Sequence, residues 1–211
     1  MYVKEIWRYP VKSMAGESLA KARVSPLGLD GDRVVLVVNP PGRVVTARSH
    51  PALLGHKGTT RADGTPLVDG RPWNESSVLA DVRKIAGPRA ELIHDKSADR
   101  FDILPLLVAT DGAIAAFGRD GRRLRPNLVI GGVEGLDERK WPGRKLRIGS
   151  VVIDLDSLRG RCVMTTYDPD TLQHDPTVLK DIVKRFGGEL ALNAAVEQGG
   201  VISLNQDVEL L

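Results

Sequence analysis

The chain has 211 residues, 42% of them hydrophobic and 27% charged, which is the make-up of an ordinary globular protein and not of a disordered or low-complexity one. Thirty basic residues against 27 acidic ones leave a net charge of +3, which mildly favours anionic partners but excludes a polycation. No apolar run approaches the roughly 20 residues needed to cross a bilayer. Lys4 and Glu5 fall where a signal peptide needs its apolar stretch, so a cytoplasmic location without membrane attachment is expected.

In chain order, Tyr2 to Tyr9 alternates like a strand and is followed by a loop through Pro10 and Gly16, then a second strand near Leu19 to Val24. Asp30-Gly31-Asp32 forms a turn, Arg33 to Val38 a β-branched strand, Asn39 to Gly42 a turn, and Arg43 to Ala47 the hairpin partner. Residues 55 to 72 have the Gly, Asp, Thr and Pro of loops with weak strands. Asn74 or Ser76 can cap a helix that puts Val78, Val82 and Ile85 on one stripe. A second helix starts at Thr110 or Asp111, runs through Ala113, Ile114 and Phe117, and stops at Gly118. Leu128 to Ile130, Lys145 to Ile148 and Val151 to Leu155 are strand-like. A third helix spans Pro176 to Phe186 and stops at Gly187-Gly188. Leu190 to Leu211 holds two or three strands with a turn at Gly199-Gly200. No repeat or linker interrupts the chain, so one domain is expected over 1–211, mainly β with about three peripheral helices (α+β).

Cys162 is the only cysteine. It excludes an intrachain disulfide, a Cys-rich zinc site and a conventional iron–sulfur cluster, which takes four thiolates. His50, His56, His94 and His174 are scattered, with no helical pair. Arg159 and Arg161 place two positive charges beside the Cys162 sulfur, an environment that suits a thiolate as a soft metal ligand or a nucleophile. Alone, a free cysteine is more commonly a packing residue. Arg122-Arg123-Leu124-Arg125-Pro126-Asn127 offers guanidinium groups and an amide to an oxyanion. Tyr9-Pro10-Val11-Lys12-Ser13 offers an ammonium and a hydroxyl, and Thr46-Ala47-Arg48 a guanidinium at a strand end. Surface solvation accounts for any one of these, so they matter only if the fold gathers them around Cys162. A nucleic-acid interface through Arg119, Arg122, Arg123 and Arg125 lacks the interleaved aromatic rings that a stacking platform needs, and no nucleic-acid partner is expected.

Taken in order, these segments resemble the MOSC family. Tyr9-Pro10-Val11-Lys12-Ser13 is similar to the start of its N-terminal β-barrel. Asp32-Arg33, Val37-Val38-Asn39 and Val45-Thr46-Ala47-Arg48 resemble the following stretch. Arg125-Pro126-Asn127-Leu128-Val129-Ile130 is similar to the family's arginine–proline–asparagine strand. Arg161-Cys162 with Thr165-Thr166 and Asp168-Pro169-Asp170-Thr171 is similar to its cysteine motif. The family takes in the C-terminal domain of molybdenum cofactor sulfurase and amidoxime-reducing enzymes.

The resemblance implies a MOSC-type β-barrel, with an N-terminal portion over 1–90 and a core over 91–211. It implies a molybdopterin-type molybdenum cofactor, with Cys162 as metal ligand and catalytic centre. Lys12, Ser13, Arg48, Thr110, Arg125, Asn127 and Arg161 would be its binding residues. The implied activity is reduction of N-hydroxylated or N-oxide-type substrates. The alternative is a carrier of the cofactor or of a persulfide sulfur, without turnover. Neither an iron–sulfur cluster nor pyridoxal phosphate is expected on this chain, so electrons would come from a separate donor, ferredoxin-like or cytochrome b5-like with its reductase. Two departures stand out: Gly160 replaces a serine of the reductases, and the stretch from Gly55 to Arg100 is shorter than theirs, implying a more open substrate mouth.

Overall fold

Two apolar residues three apart, Val3 and Ile6, cannot share one face of a regular strand. In β1 (Tyr2–Arg8) both are nonetheless fully buried, because the register against the neighbouring strand shifts between Val3 and Glu5. This bulge rephases the alternation and turns both side chains inward. The computed structural model describes residues 1–211. After β1 come β2 (Glu17–Ser18), β3 (Lys21–Ser25), β4 (Gly28–Leu29), β5 (Val35–Asn39), β6 (Arg43–Val45), β7 (Gly58–Thr60), β8 (Pro66–Val68) and β9 (Arg71–Pro72). The chain continues through α1 (Ser76–Ala86), β10 (Glu91–His94), β11 (Leu106–Thr110), α2 (Asp111–Phe117), β12 (Leu128–Gly131) and β13 (Lys145–Ile148). It closes with β14 (Val151–Gly160), α3 (Thr177–Phe186), β15 (Glu189–Gln198), β16 (Gly200–Ser203) and β17 (Glu209–Leu210).

The main sheet has eight strands in the order β17-β13-β14-β15-β11-β12-β1-β2, and three smaller sheets join β10-β5-β6, β16-β3-β4 and β7-β8-β9. Only β11 and β12 pair in parallel, with α2 on the connection between them. The larger core lies against the main sheet and draws on both chain ends, from Val3, Ile6 and Leu29 to Leu146, Ile153, Leu192, Ile202 and Val208. A second core packs Val11, Met14, Val35, Val37 and Val45 against Val78 and Val82 of α1. A third seats Val178, Ile182 and Phe186 of α3 against Phe117 and Leu124.

The three expected helices are present. Thr110 caps α2, its hydroxyl accepting from the Ala113 amide at 3.1 Å, and Gly118 ends the helix at φ 68°. Gly187 ends α3 at φ 67°, where the absence of Cβ removes the cost of the left-handed turn. The cap of α1 is Glu75, not Asn74 or Ser76, and no side chain bonds the exposed amides. Strand β14 runs past Leu155 to Gly160, which carries it to within two residues of Cys162.

The mainly β class with three α-helices holds, but the barrel expected from the resemblance does not form: the sheets stay open. At one edge β17 pairs only with β13, and at the other β2 covers only Trp7 and Arg8 of β1. The two edges meet at a single bridge, Tyr2 to Asp207. Backbone bonds flank it, from Val3 N to Gln206 O at 2.9 Å and from Asn205 N to Val3 O at 2.8 Å. No helix is long and apolar enough to cross a membrane.

Candidate functional site

Cys162 follows the end of β14 and caps a 3-10 turn, Val163–Thr166. Its carbonyl accepts from the Thr165 amide at 3.0 Å and from the Thr165 hydroxyl at 2.9 Å, which pins the cysteine backbone. The side chain is half-buried at one wall of a cleft. Around that cleft the fold gathers Lys12, Ser13, Arg48, Arg125, Asn127 and Arg161, six of the seven binding residues expected from sequence.

They arrive from four separate stretches of the chain. Lys12 and Ser13 lie on the loop after β1. Ser13 adopts φ +71°, a strained choice for a residue with a Cβ, and is held there as its Oγ accepts from the Ala47 amide at 3.0 Å. That bond ties the loop to the end of the β5–β6 hairpin, where Arg48 projects. Arg125 takes a left-handed turn, φ +57°, after a 3-10 helix at Gly121–Leu124, and its guanidinium rests on the Tyr9 ring, 4.3 Å from the centroid. Arg33 lies 5.1 Å from the same ring. Such contacts favour the cation. Burial pushes the Tyr9 hydroxyl up to about 12 in spite of both arginines.

Seven cationic side chains, Lys12, Arg33, Arg48, Arg123, Arg125, Arg159 and Arg161, line the cleft against one carboxylate, Asp102. Two of them are committed elsewhere: Arg33 pairs with the buried Asp32, and Arg123 binds Asp168 at 2.9 Å and the Thr165 carbonyl at 3.2 Å. Asp102 faces three others. Lys12 Nζ lies 2.8 Å from its Oδ1, and Arg48 Nη2 and Arg159 Nη2 lie 2.6 and 3.5 Å from its Oδ2. Burial alone would raise the Asp102 carboxyl, but the Lys12 hydrogen bond and the charges of Lys12, Arg48 and Arg159 outweigh it and hold it below the usual carboxylate range. Lys12 is held in turn by Arg100, whose carbonyl accepts from Lys12 Nζ at 2.8 Å and whose guanidinium donates to the carbonyls of Asp32, Lys96, Ser97 and Leu27.

Burial pulls both Arg125 and Arg161 down to about 10. Arg161 Nη2 donates to the Leu124 carbonyl at 2.6 Å, yet its Nε is buried without any partner. An orphaned donor of this kind beside a thiol is what a bound anion would satisfy. No group of three or more His, Cys, Asp or Glu gathers to hold a metal ion. The chain therefore offers one soft sulfur and a set of oxyanion-binding cations, a donor set that fits an anionic metal complex bringing its own ligands and not a bare ion.

Two expected residues have other occupations. Thr110 does not line the cleft: it is wholly buried, donates to Glu138 Oε2 at 2.8 Å and caps α2, so nothing of its hydroxyl faces a ligand. Asn127 reaches the cleft wall, but Oδ1 accepts from the Leu107 amide at 3.1 Å and Arg33 at 3.3 Å, and Nδ2 donates to the Trp7 carbonyl at 3.2 Å. It braces β1 and β11 and orients Arg33. Asp102 escaped sequence reading, because an acid in a loop carries no mark of the cations it will meet. Arg159 was visible only as a neighbour of Cys162.

Residues 1–94 match the family model of the MOSC N-terminal beta barrel domain, and residues 114–209 match that of the MOSC domain. The chain belongs to the MOSC family. It is 26% identical over 227 residues to human mitochondrial amidoxime-reducing component 1, covering 80% of this chain and 67% of that protein. It is 25% identical to mitochondrial amidoxime reducing component 2 of Macaca fascicularis, covering 87% and 72%. Among solved structures it is similar to the YUAD protein of Bacillus subtilis, with a TM-score of 0.55 at 13% identity over 99% of this chain and 94% of that one. At that identity the likeness speaks for the fold alone.

Proposed function

We propose that this chain binds molybdenum cofactor through Cys162 and reduces N-hydroxylated or related nitrogen–oxygen compounds. The supporting observation is the single thiol set in a cleft lined by seven cations and one carboxylate. When bound, the cofactor supplies two-electron redox chemistry. Cys162 would hold the metal. Lys12, Arg48 and the Ser13 hydroxyl would hold the phosphate end, and Arg125 and Arg161 would neutralise the rest of the anion, each through charge-assisted bonds. Asn127 keeps Arg33 and the strand ends in place. Asp102 must give up Lys12 and Arg48 as the anion enters, an exchange of one counter-charge for another. In the overall reaction the substrate N–O bond breaks, two electrons and two protons are taken up, and water leaves. The electrons would come in single steps from a separate ferredoxin- or cytochrome b5-like donor.

A carrier of cofactor or persulfide sulfur is the second reading, favoured by Gly160. A Cβ there would meet nothing within 4 Å, so packing does not require glycine, yet the chain has no side-chain hydroxyl at that point beside Cys162. Elemental analysis for molybdenum, on protein purified anaerobically from cofactor-producing cells, tests the site. Near-stoichiometric metal in the wild type and none in Cys162→Ser is expected; metal retained by the variant would remove Cys162 as ligand. Metal-loaded protein that reduces no N-hydroxylated compound with an artificial donor would favour the carrier.

A further inference from the structure

The 3-10 turn after Cys162 has two sides. Cys162 and Met164 face the cleft, whereas Val163 and Thr166 floor a second, shallow groove completed by Leu179, Lys180, Val183 and Lys184 of α3. A four-residue 3-10 turn is about 8 Å long, so one short, braced piece of backbone is the wall between the groove and the thiol. The bracing is extensive: Thr166 Oγ1 donates to the Val163 carbonyl at 2.6 Å, and the Thr166 carbonyl accepts from Asp175 N at 2.8 Å, at the approach to α3.

The groove is not explained by folding. Val178, Ile182 and Phe186 already supply the stripe by which α3 packs on the core. Leu179 and Val183 form a second apolar pair at i, i+4, and Val183 is 57% exposed. Lys180 and Lys184 flank it, also at i, i+4, and neither takes part in any ion pair of the structure. The one acid of α3, Asp181, is held by Arg185 at 2.8 Å. No carboxylate lines the groove.

We propose that this groove is the docking surface for a small acidic one-electron carrier protein, the donor required by the function proposed above, on which this inference rests. An apolar centre with an unpaired cationic rim matches a partner whose redox group is surrounded by carboxylates. Redox encounters are small and transient, bury less than about 1,200 Å², and rely on charge for their on-rate. A shallow apolar groove with a cationic rim therefore suits such an encounter. The position adds the second argument, since an electron delivered here has only the turn between it and Cys162. A second copy of the chain fits poorly, because a two-fold contact would set Lys180 and Lys184 against themselves.

The test titrates the protein with an acidic plant-type [2Fe–2S] ferredoxin by calorimetry, at low and moderate salt. The expected result is binding that weakens as salt rises. It should fall roughly tenfold or more in the triple variant Lys180→Glu, Val183→Asp, Lys184→Glu, with Tm unchanged, and stay the same in Lys21→Glu on β3. Absence of wild-type binding at low salt, or equal binding by the triple variant, overturns the proposal. So does self-association, or attachment to phosphatidylserine-containing vesicles, that depends on the groove when ferredoxin binding does not. The readout needs no turnover, which separates the two claims. A chain without molybdenum that still binds ferredoxin through the groove would refute the proposed function alone. A loaded, dye-active chain whose ferredoxin binding ignores the groove would refute the docking surface alone.

Discussion

Asp102 is the one carboxylate of the cleft and accepts from Lys12 and Arg48. Because its carboxyl is held below the usual range, the folded chain releases that proton more readily than the unfolded one. Its contribution to stability is therefore complete above the ordinary carboxylate range and fades as pH falls through the lowered value. Asp102→Asn is expected to lower Tm at neutral pH, where Lys12, Arg48 and Arg159 then repel one another, and to flatten the acid side of the Tm–pH curve. The same change removes the counter-charge of three cations, so inorganic pyrophosphate should bind roughly tenfold more tightly, the worth of about one charge-assisted hydrogen bond. Calorimetry checks the affinity, and an affinity no higher than wild type would show that Asp102 does not compete with anions. Arg48→Ala should have the opposite effect on the same titration, a loss of about 1.5–3 kcal/mol.

At the level of elements, α2 depends on a buried pair. Glu138, 1% exposed, accepts from Thr110 Oγ1 at 2.8 Å and from the Ala191 amide at 3.0 Å, where Ala191 adopts φ +66°. Thr110→Ala is expected to cost about 1 kcal/mol for the lost cap and a further 1–3 kcal/mol, roughly, for the carboxylate oxygen left unbonded. Urea unfolding measures that loss, and molybdenum content should not change; a drop in bound metal at full stability would return Thr110 to the cleft. Burial raises the Glu138 carboxyl above its ordinary value, against the hydrogen bonds from Thr110 and Ala191. Here the sign is reversed: the folded chain holds the proton more tightly, so the contribution is full at acid pH and declines as pH rises through the raised value. Elements with local signals were legible in the sequence, as with α2 between Thr110 and Gly118 or the stop of α3 at Gly187. The bulge in β1 was not, because it is set by the register of β12, more than a hundred residues away. The site divides the same way: Cys162 with Arg161, Lys12 with Ser13, and Arg48 each belong to a local motif. Asp102 acquires meaning only from partners at positions 12, 48 and 159.

Across the whole molecule, the weakest joint is the seam at Tyr2 and Asp207. It has one bridge and a few flanking bonds, whereas β14 and β15 form a ladder of ten-residue strands. Open edges fray first, so native-state hydrogen exchange should release the amides of Val3, Asn205 and Val208 well before those of Ile153 and Leu192. Uniform protection would mean that the seam is as firm as the sheet. The barrel expected from motifs at the residue level failed at this scale, since closure depends on how two distant edges meet and not on any local pattern. One further consequence lies in the position of β1. It falls within residues 1–94, one family segment, yet its ladder partner β12 belongs to residues 114–209, the other. Asn127 adds a second tie, from the later segment to the Trp7 carbonyl and Arg33 of the earlier. A descendant that exchanged its first segment for a stranger's would have to accept a new edge strand in its main sheet and lose its hold on Arg33 in the same step. At this edge of the main sheet the two segments form one packing unit.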